Sequence, residues 1–418
     1  MVPNGERAEL VSWKEIAGYL GVGVRTAQVW EQERGLPVRR VPGPRCQVTA
    51  VVAELEAWKT RGIPPPPEAP QALTRRQWAG SLLLVTTVLS TGALAVHSRP
   101  GVPSRYRVEP HTLIISDVRG RELWRKQFAS LDLTAYRSPA SQELVWFGDL
   151  DGNGTTSVIF PFRTDHSEPP GGLIAYTNSG VERWRFTPGR TVHSSTESFA
   201  RPFHPARFVV APMGREGKLR IAVASTHDLY YPTQIALLDR DGHLLREYWH
   251  SGHLNYLLAT DLTHLGWNTL IAAGISNARK AVTLLVLDPD YFTGASHEDD
   301  AAYQLQDLPA PAEIARLVFP RSCINHRLEP FTTMSSLSRD GDKIALDVEH
   351  QLDPLGSAIY YQLNPDLSLA DVSVSSSFER AHLALHAQGI IDHQLTPAEI
   401  AKFRNITYLV GEHHDTSR

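Results

Sequence analysis

The densest run of oxygen ligands in the chain is Asp149-Leu150-Asp151-Gly152-Asn153-Gly154-Thr155. Side-chain oxygens at alternating positions, followed by glycine, suit a hard cation such as calcium: Asp149, Asp151 and Asn153 would bind through side chains and Thr155 through its carbonyl. An EF-hand would place glutamate at position 12, where this chain has Phe160, and position 9 is Ser157, so the loop offers only two carboxylates. The same residues also suit a tight inter-strand turn, because Asp-Gly and Asn-Gly favour positive φ. Both readings stand open at this point.

The histidines and cysteines are thinner material. His382 and His386 are i, i+4 neighbours on an expected helix, Phe378 to Gln388. That spacing could hold zinc, but neither the glutamate of H-E-x-x-H nor a third ligand is evident, and a packed helix face is the better reading. His250, His253 and His264 are read the same way. The two cysteines, Cys46 and Cys323, are expected on opposite sides of a membrane and so unpaired. There is no G-x-S-x-G, P-loop, kinase signature or thiol–histidine constellation, and the chain is expected not to be an enzyme.

The basic residues that could touch a polyanion cluster near the N-terminus: Arg25, Thr26 and Gln28 in one segment, Arg39, Arg40 and Arg45 in the next. Residues 1–77 hold 11 Lys and Arg against 8 Glu, a net +3, whereas the remainder holds 30 against 37, a net −7. Ser12-Trp13-Lys14-Glu15 is a capping box that opens a helix. Gly21 to Val24 reads as a turn, Arg25 to Arg34 as a second helix ended by Gly35, and Leu36 to Arg45 as an extended basic segment. Gln47 to Val52 leads into a further helix with Leu55 and Trp58 inward. This order is that of a winged helix-turn-helix, in which the second helix enters the major groove and the basic wing meets phosphate. A small protein-interaction module fits the same pattern.

The stretches Ser12 to Val22, Arg25 to Glu31, Gly35 to Arg40 and Glu54 to Trp58 resemble the winged helix-turn-helix domains of the MerR and excisionase types. The resemblance implies DNA contacts from Arg25, Thr26 and Gln28, with Arg39, Arg40 and Arg45 on the wing. The chain departs from that pattern at Val29, where a basic residue is usual, and in the proline content of the wing.

The C-terminal body reads as short strands with turn chemistry. Leu113 to Trp124, Leu173 to Trp184 and Ile235 to Arg246 are three copies of an apolar strand, a glycine turn and a second strand, and Leu284 to Asp288 starts a fourth. Their glycines recur at about 60 residues, a propeller-like period that allows five blades. Val145 to Gly154 and Ala259 to Gly266 resemble the FG-GAP repeats of integrin-type propellers, whose acidic loop binds calcium. The Gly-x-x-x-Trp hairpins are similar to the tryptophan-docking motifs of quinoprotein propellers.

Between head and body lies Trp78 to Val96, without Asp, Glu, Lys, Arg or His. As a helix it would span about 28 Å, near the thickness of a bilayer's hydrocarbon core. A Pro-rich tract precedes it and Pro100, Gly101 and Pro103 follow, so a transmembrane helix is expected rather than a core helix. Arg75 and Arg76 before it place the N-terminus in the cytoplasm; Thr74 to Trp78 also resembles a twin-arginine export signal. The expected organisation is a winged helix-turn-helix head at residues 8–62, a linker at 63–77, a transmembrane helix at 78–96, a linker at 97–107, FG-GAP-like propeller repeats at 108–365 and a mixed helical segment at 366–418. In fold class this is an α-rich head, one membrane helix and an all-β propeller-like body. In function it is a membrane-anchored, DNA-binding transcriptional regulator of the cytoplasmic membrane, dimeric on symmetric operators, whose outer body senses an unknown ligand with calcium as its expected cofactor. The alternative is an extracytoplasmic ligand-binding or adhesion propeller with a protein-interaction head.

Overall fold

The computed structural model describes residues 9–10, 12–20, 36–41, 47–60, 101–137, 144–164, 171–227, 231–262, 266–350 and 357–410. The chain divides into two compact units, Met1–Ala93 and Leu94–Arg418. Among the described residues strands hold 45% and helices 13%, which sets the fold class as β-rich.

In the first unit, β1 (Glu9–Leu10), β2 (Arg39–Val41) and β3 (Gln47–Val51) form an antiparallel sheet in the order β1-β3-β2. Among the described residues two helices accompany it, α1 (Trp13–Leu20) and α2 (Val52–Thr60). Ser12 Oγ accepts the Glu15 N–H at 3.2 Å, satisfying one of the orphan donors of α1. The core is Ile16, Leu36, Val48, Ala50 and Leu55, with Trp13 and Trp58 packed against it. Val48 and Ala50 alternate inward along the central strand, as period-2 patterning requires.

In the second unit, five antiparallel sheets follow one another along the chain. The first is β4 (Arg105–Glu109), β5 (Thr112–Ser116) and β6 (Glu122–Gln127). A short helix, α3 (Thr134–Arg137), leads to the second, β7 (Trp146–Asp149), β8 (Thr156–Phe162), β9 (Gly172–Tyr176) and β10 (Glu182–Phe186). A small hairpin, β11 (Val192–His193) and β12 (Ser198–Phe199), precedes the third sheet, β13 (Phe203–Met213), β14 (Lys218–His227), β15 (Thr233–Leu238) and β16 (Leu244–His250). The fourth is β17 (Leu254–Thr260), β18 (Thr269–Ser276), β19 (Ala281–Leu287) and β20 (Ala315–Val318). Helix α4 (Cys323–Leu328) leads to the fifth, β21 (Thr333–Asp340), β22 (Lys343–Glu349), β23 (Ala358–Leu363) and β24 (Leu369–Val374). Helices α5 (Ser376–Ala387) and α6 (Pro397–Ala401) follow, and β25 (Thr407–Val410) returns to pair with β20 as a fifth strand of the fourth sheet.

Each sheet packs face to face on the next. Val158 and Phe160 of β8 meet Leu113 and Ile115 of the first sheet, while the intervening Ile159 meets Ile221 and Val223 of the third. On β18, Leu270 and Ala272 meet the third sheet and Ile271 and Ala273 the fifth. Strands such as β15 and β19 are therefore buried on both faces, which explains their unbroken apolar runs.

One turn recurs at four hairpins. The N–H of Asp117, Thr177, Asp239 and Asn364 donates to the carbonyl of Arg121, Val181, His243 and Ser368 respectively. A residue at positive φ completes each turn: Gly120, Gly180, Gly242 and, in the last, Leu367. Tryptophan ties successive sheets together at these turns. Trp124 Nε1 donates to Asn178 O at 3.0 Å and Trp184 Nε1 to Arg240 O at 2.9 Å. The rings lie so close over Gly180 and Gly242 that a Cβ there would come within 2.7 Å and 2.6 Å of them.

Three expectations are corrected. The chain is not an α-rich head carrying a β body: among the described residues strands prevail over helices, and a three-stranded sheet forms part of the first unit, so the DNA-binding helix-turn-helix designation loses its α-rich basis. The body is not a closed propeller. Among the described residues the first sheet has three strands, a Cβ on Gly120 would meet nothing within 4 Å, and no apolar cluster joins the first sheet to the fifth. Among the described residues no helix is long and apolar enough to cross a membrane, and Trp78 to Val96 lies outside them, so the transmembrane and inner-membrane placement is withdrawn.

Candidate functional site

Three imidazoles and a guanidinium meet where the second, third and fourth sheets adjoin. A cleft of about 260 Å³ is lined by Arg163, His204, Ala206, Thr226, His227, His253 and Asn255. Arg163 directly follows β8, and its backbone N–H donates to Tyr136 Oη at 2.8 Å. His204 lies on β13 opposite Thr226 of β14, and Phe203 lies opposite His227. Phe199 and Phe203 hold the His227 ring edge to face, at centroid distances of 5.6 and 5.2 Å. His227 Nε2 lies 3.0 Å from Ala200 O, so it carries the proton, and Nδ1 is left as an acceptor in the neutral ring.

His253 is fixed by backbone contact just before β17. Its carbonyl accepts the Ile275 N–H at 2.9 Å. A Cβ on Gly274 would lie 2.0 Å from that carbonyl, and one on Gly252 would lie 1.8 Å from Ile275 O. Only glycine permits either approach. Burial pushes the His253 imidazole below its ordinary value; a hydrogen bond to the His227 backbone opposes this, while His227 and Arg163 charges reinforce it. Arg163 Nε and His253 Nε2 are buried without a hydrogen-bond partner among the described residues. The lining contains no carboxylate. Such a site offers donors and positive charge, and asks for an acceptor-rich anion.

The oxygen-rich loop is used internally. Asp149 Oδ1 accepts the N–H groups of Asp151, Gly152 and Asn153, and Oδ2 that of Gly154, at 2.5 to 3.1 Å. The same backbone donors, Gly154 first, hold the Asp149 carboxyl below the usual carboxylate range. Asn153 Oδ1 accepts from Thr155 N at 2.8 Å. Asp151 pairs with Arg183 at 2.8 Å, and Arg183 also reaches Ser157 Oγ. The Arg183 guanidinium thus supplies the positive charge beside Asp151.

Of the expected DNA contacts, Arg25, Thr26, Gln28 and Arg45 lie outside the described residues, as does His264. Arg39 and Arg40 are consecutive on β2, opposite Thr49 and Val48. Arg39 forms an exposed ion pair with Glu54 of α2. His250 is buried and bonds Ser296 Oγ at 2.9 Å, away from the cleft lining. His386 lines a different cleft, beside His382, and its Nδ1 is 3.0 Å from Ile391 O. The sequence singled out His253 only to set it aside, and it did not single out Arg163, His204 or His227. They are far apart in the chain, and only the pairing of β13 with β14 and the packing of three sheets assemble them.

No protein-family model matches the chain, and no curated protein matches it. Among solved structures, a "eukaryotic initiation factor" crystal structure aligns at 8% identity with a TM-score of 0.27, over 65% of this chain and 62% of that one. An "ACO/RPE65 chimera" aligns at 12% identity with a TM-score of 0.28, over 66% and 64%. The chain thus spans somewhat less than two thirds of either neighbour. Both likenesses are too low in TM-score to say anything of this chain's fold or chemistry.

Proposed function

We propose that the Leu94–Arg418 unit is a binding module that takes a small anion in the cleft of Arg163, His204, His227 and His253. The observation that supports this most directly is a lining with one arginine, three histidines and no carboxylate, in which Arg163 Nε and His253 Nε2 are buried without a partner among the described residues, the second becoming a donor when the ring is protonated. A carboxylate or phosphate oxygen would satisfy these groups through charge-assisted hydrogen bonds. The size of the cleft fits a ligand of few heavy atoms.

The experiment is calorimetric titration of the full chain with inorganic phosphate and with citrate, alongside Arg163→Gln. Binding by the wild type, weakened at least about tenfold in the variant, is the expected result. Affinity should also rise as pH falls from 8 towards 6, because an anion favours the protonated His253 that burial disfavours. Equal affinity in wild type and variant, or no binding of either probe, would overturn the reading.

A further inference from the structure

The geometry points to a zinc site formed by Cys323, His382 and His393, separate from the anion cleft. One ligand atom from each lies within 4.8 Å of the other two. Cys323 is the first residue of α4, His382 lies in the middle of α5, and His393 sits in the loop between α5 and α6. Thiolate and imidazole are the ligand types that zinc selects over harder cations.

Two features mark this as a site rather than a chance meeting of side chains. His382 is 1% exposed, yet its Nε2 has no hydrogen-bond partner among the described residues. A buried polar atom left unsatisfied is costly, and a coordinated cation would satisfy it. His393 bonds Asp392 Oδ1 through Nδ1 at 2.9 Å and leaves Nε2 without a hydrogen bond. A carboxylate behind an imidazole is the arrangement that orients a metal-ligating histidine. Glu399 Oε2 stands 3.6 Å from the same Nε2, adding negative charge at the rim.

A cleft of about 390 Å³, lined by His382, His386, Gln394, Thr396 and other residues, gives the ion a way in. Tetrahedral zinc sets neighbouring ligand atoms about 3.5 Å apart, so the three donors need to close by no more than about 1.3 Å. On binding, the Cys323 Sγ–H proton passes to solvent as the zinc–sulfur bond forms. Three protein ligands leave the fourth position to water or to Glu399. The i, i+4 neighbour His386 is not part of the set.

The test uses the untagged full chain, stripped with a chelator and titrated with zinc and with cobalt. One equivalent of zinc should bind, and cobalt should give a thiolate charge-transfer band. Cys323→Ser should abolish the band and weaken zinc binding at least about tenfold. His386→Ala should change neither. A second measurement avoids substituting any ligand: in a Cys46→Ser chain, zinc should slow maleimide labelling of Cys323 severalfold. Zinc affinity unchanged by Cys323→Ser, or labelling of Cys323 unaffected by saturating zinc, would overturn the assignment.

Discussion

His250 shows how a single buried group sets a property of the whole fold. It is fully enclosed at the end of β16, with Ser296 Oγ 2.9 Å from Nδ1. Burial, with Arg316 nearby, lowers its pKa from 6.5 to about 3. The folded imidazole therefore holds fewer protons than the unfolded one between those values, so the stabilisation present above pH 6.5 is lost as pH falls towards 3. At pH 5 this one group costs about 2 kcal/mol relative to neutral pH. His253, His326 and His382 are lowered too and act in the same direction. Urea midpoints at pH 7 and pH 5 check this: the wild type should lose stability on acidification, and His250→Gln should lose about 2 kcal/mol less over the same interval. An identical pH dependence in both chains would show that His250 is not buried as a neutral ring.

The repeated hairpin turn, with the tryptophan that docks on it, is the element that joins one sheet to the next. Gly120 and Gly242 separate the two parts of its work. Both have φ near +80°, at 79° and 83°, where an L side chain is strained. Gly120 has open space around it, whereas a Cβ on Gly242 would lie 2.6 Å from the Trp184 ring. Gly120→Ala should cost only the backbone strain, about 1 kcal/mol. Gly242→Ala should cost at least about 1 kcal/mol more, because the ring must move from its hydrogen bond with Arg240 O. Equal losses in denaturant unfolding would mean that the ring docks without consequence. The turns with a glycine were legible in the sequence because Asp or Thr followed three residues later by Gly specifies them. The fourth was not legible, because Leu367 occupies the positive-φ position at 67° and is held there by burial in the core. The copy expected after Asp288 does not form: the chain departs for Pro289 to Ile314 before β20 completes the sheet. The zinc ligands were hidden for a related reason. Helical spacing pointed from His382 to His386, whereas Cys323 and His393 reach it from outside the helix.

At the scale of the molecule, the apolar runs of β8, β15, β18 and β19 read as strands and prove to be buried on both faces, but nothing local states whether a stack closes on itself. Closure depends on the first and last sheets meeting, and the ends of this stack differ in build. The first sheet has three strands and packs through Leu113 and Ile115 on the second. The fifth is covered by Phe378, Ala381 and Phe403 from the C-terminal elements, and β25 extends the fourth. In a stack where each layer contacts only its neighbours, stability is a sum of layer and interface contributions, and a terminal layer has one interface fewer. Opening should therefore cost least at β4 to β6 and most at β14, β15, β18 and β19. Native-state hydrogen exchange read by mass spectrometry resolves this. Peptides from the first sheet should exchange at least about tenfold faster than those from the third and fourth, with the fifth protected by its helical cover. Uniform protection across all five sheets would instead be the signature of a closed ring, in which every sheet has two neighbours, and would reverse the assignment of an open stack.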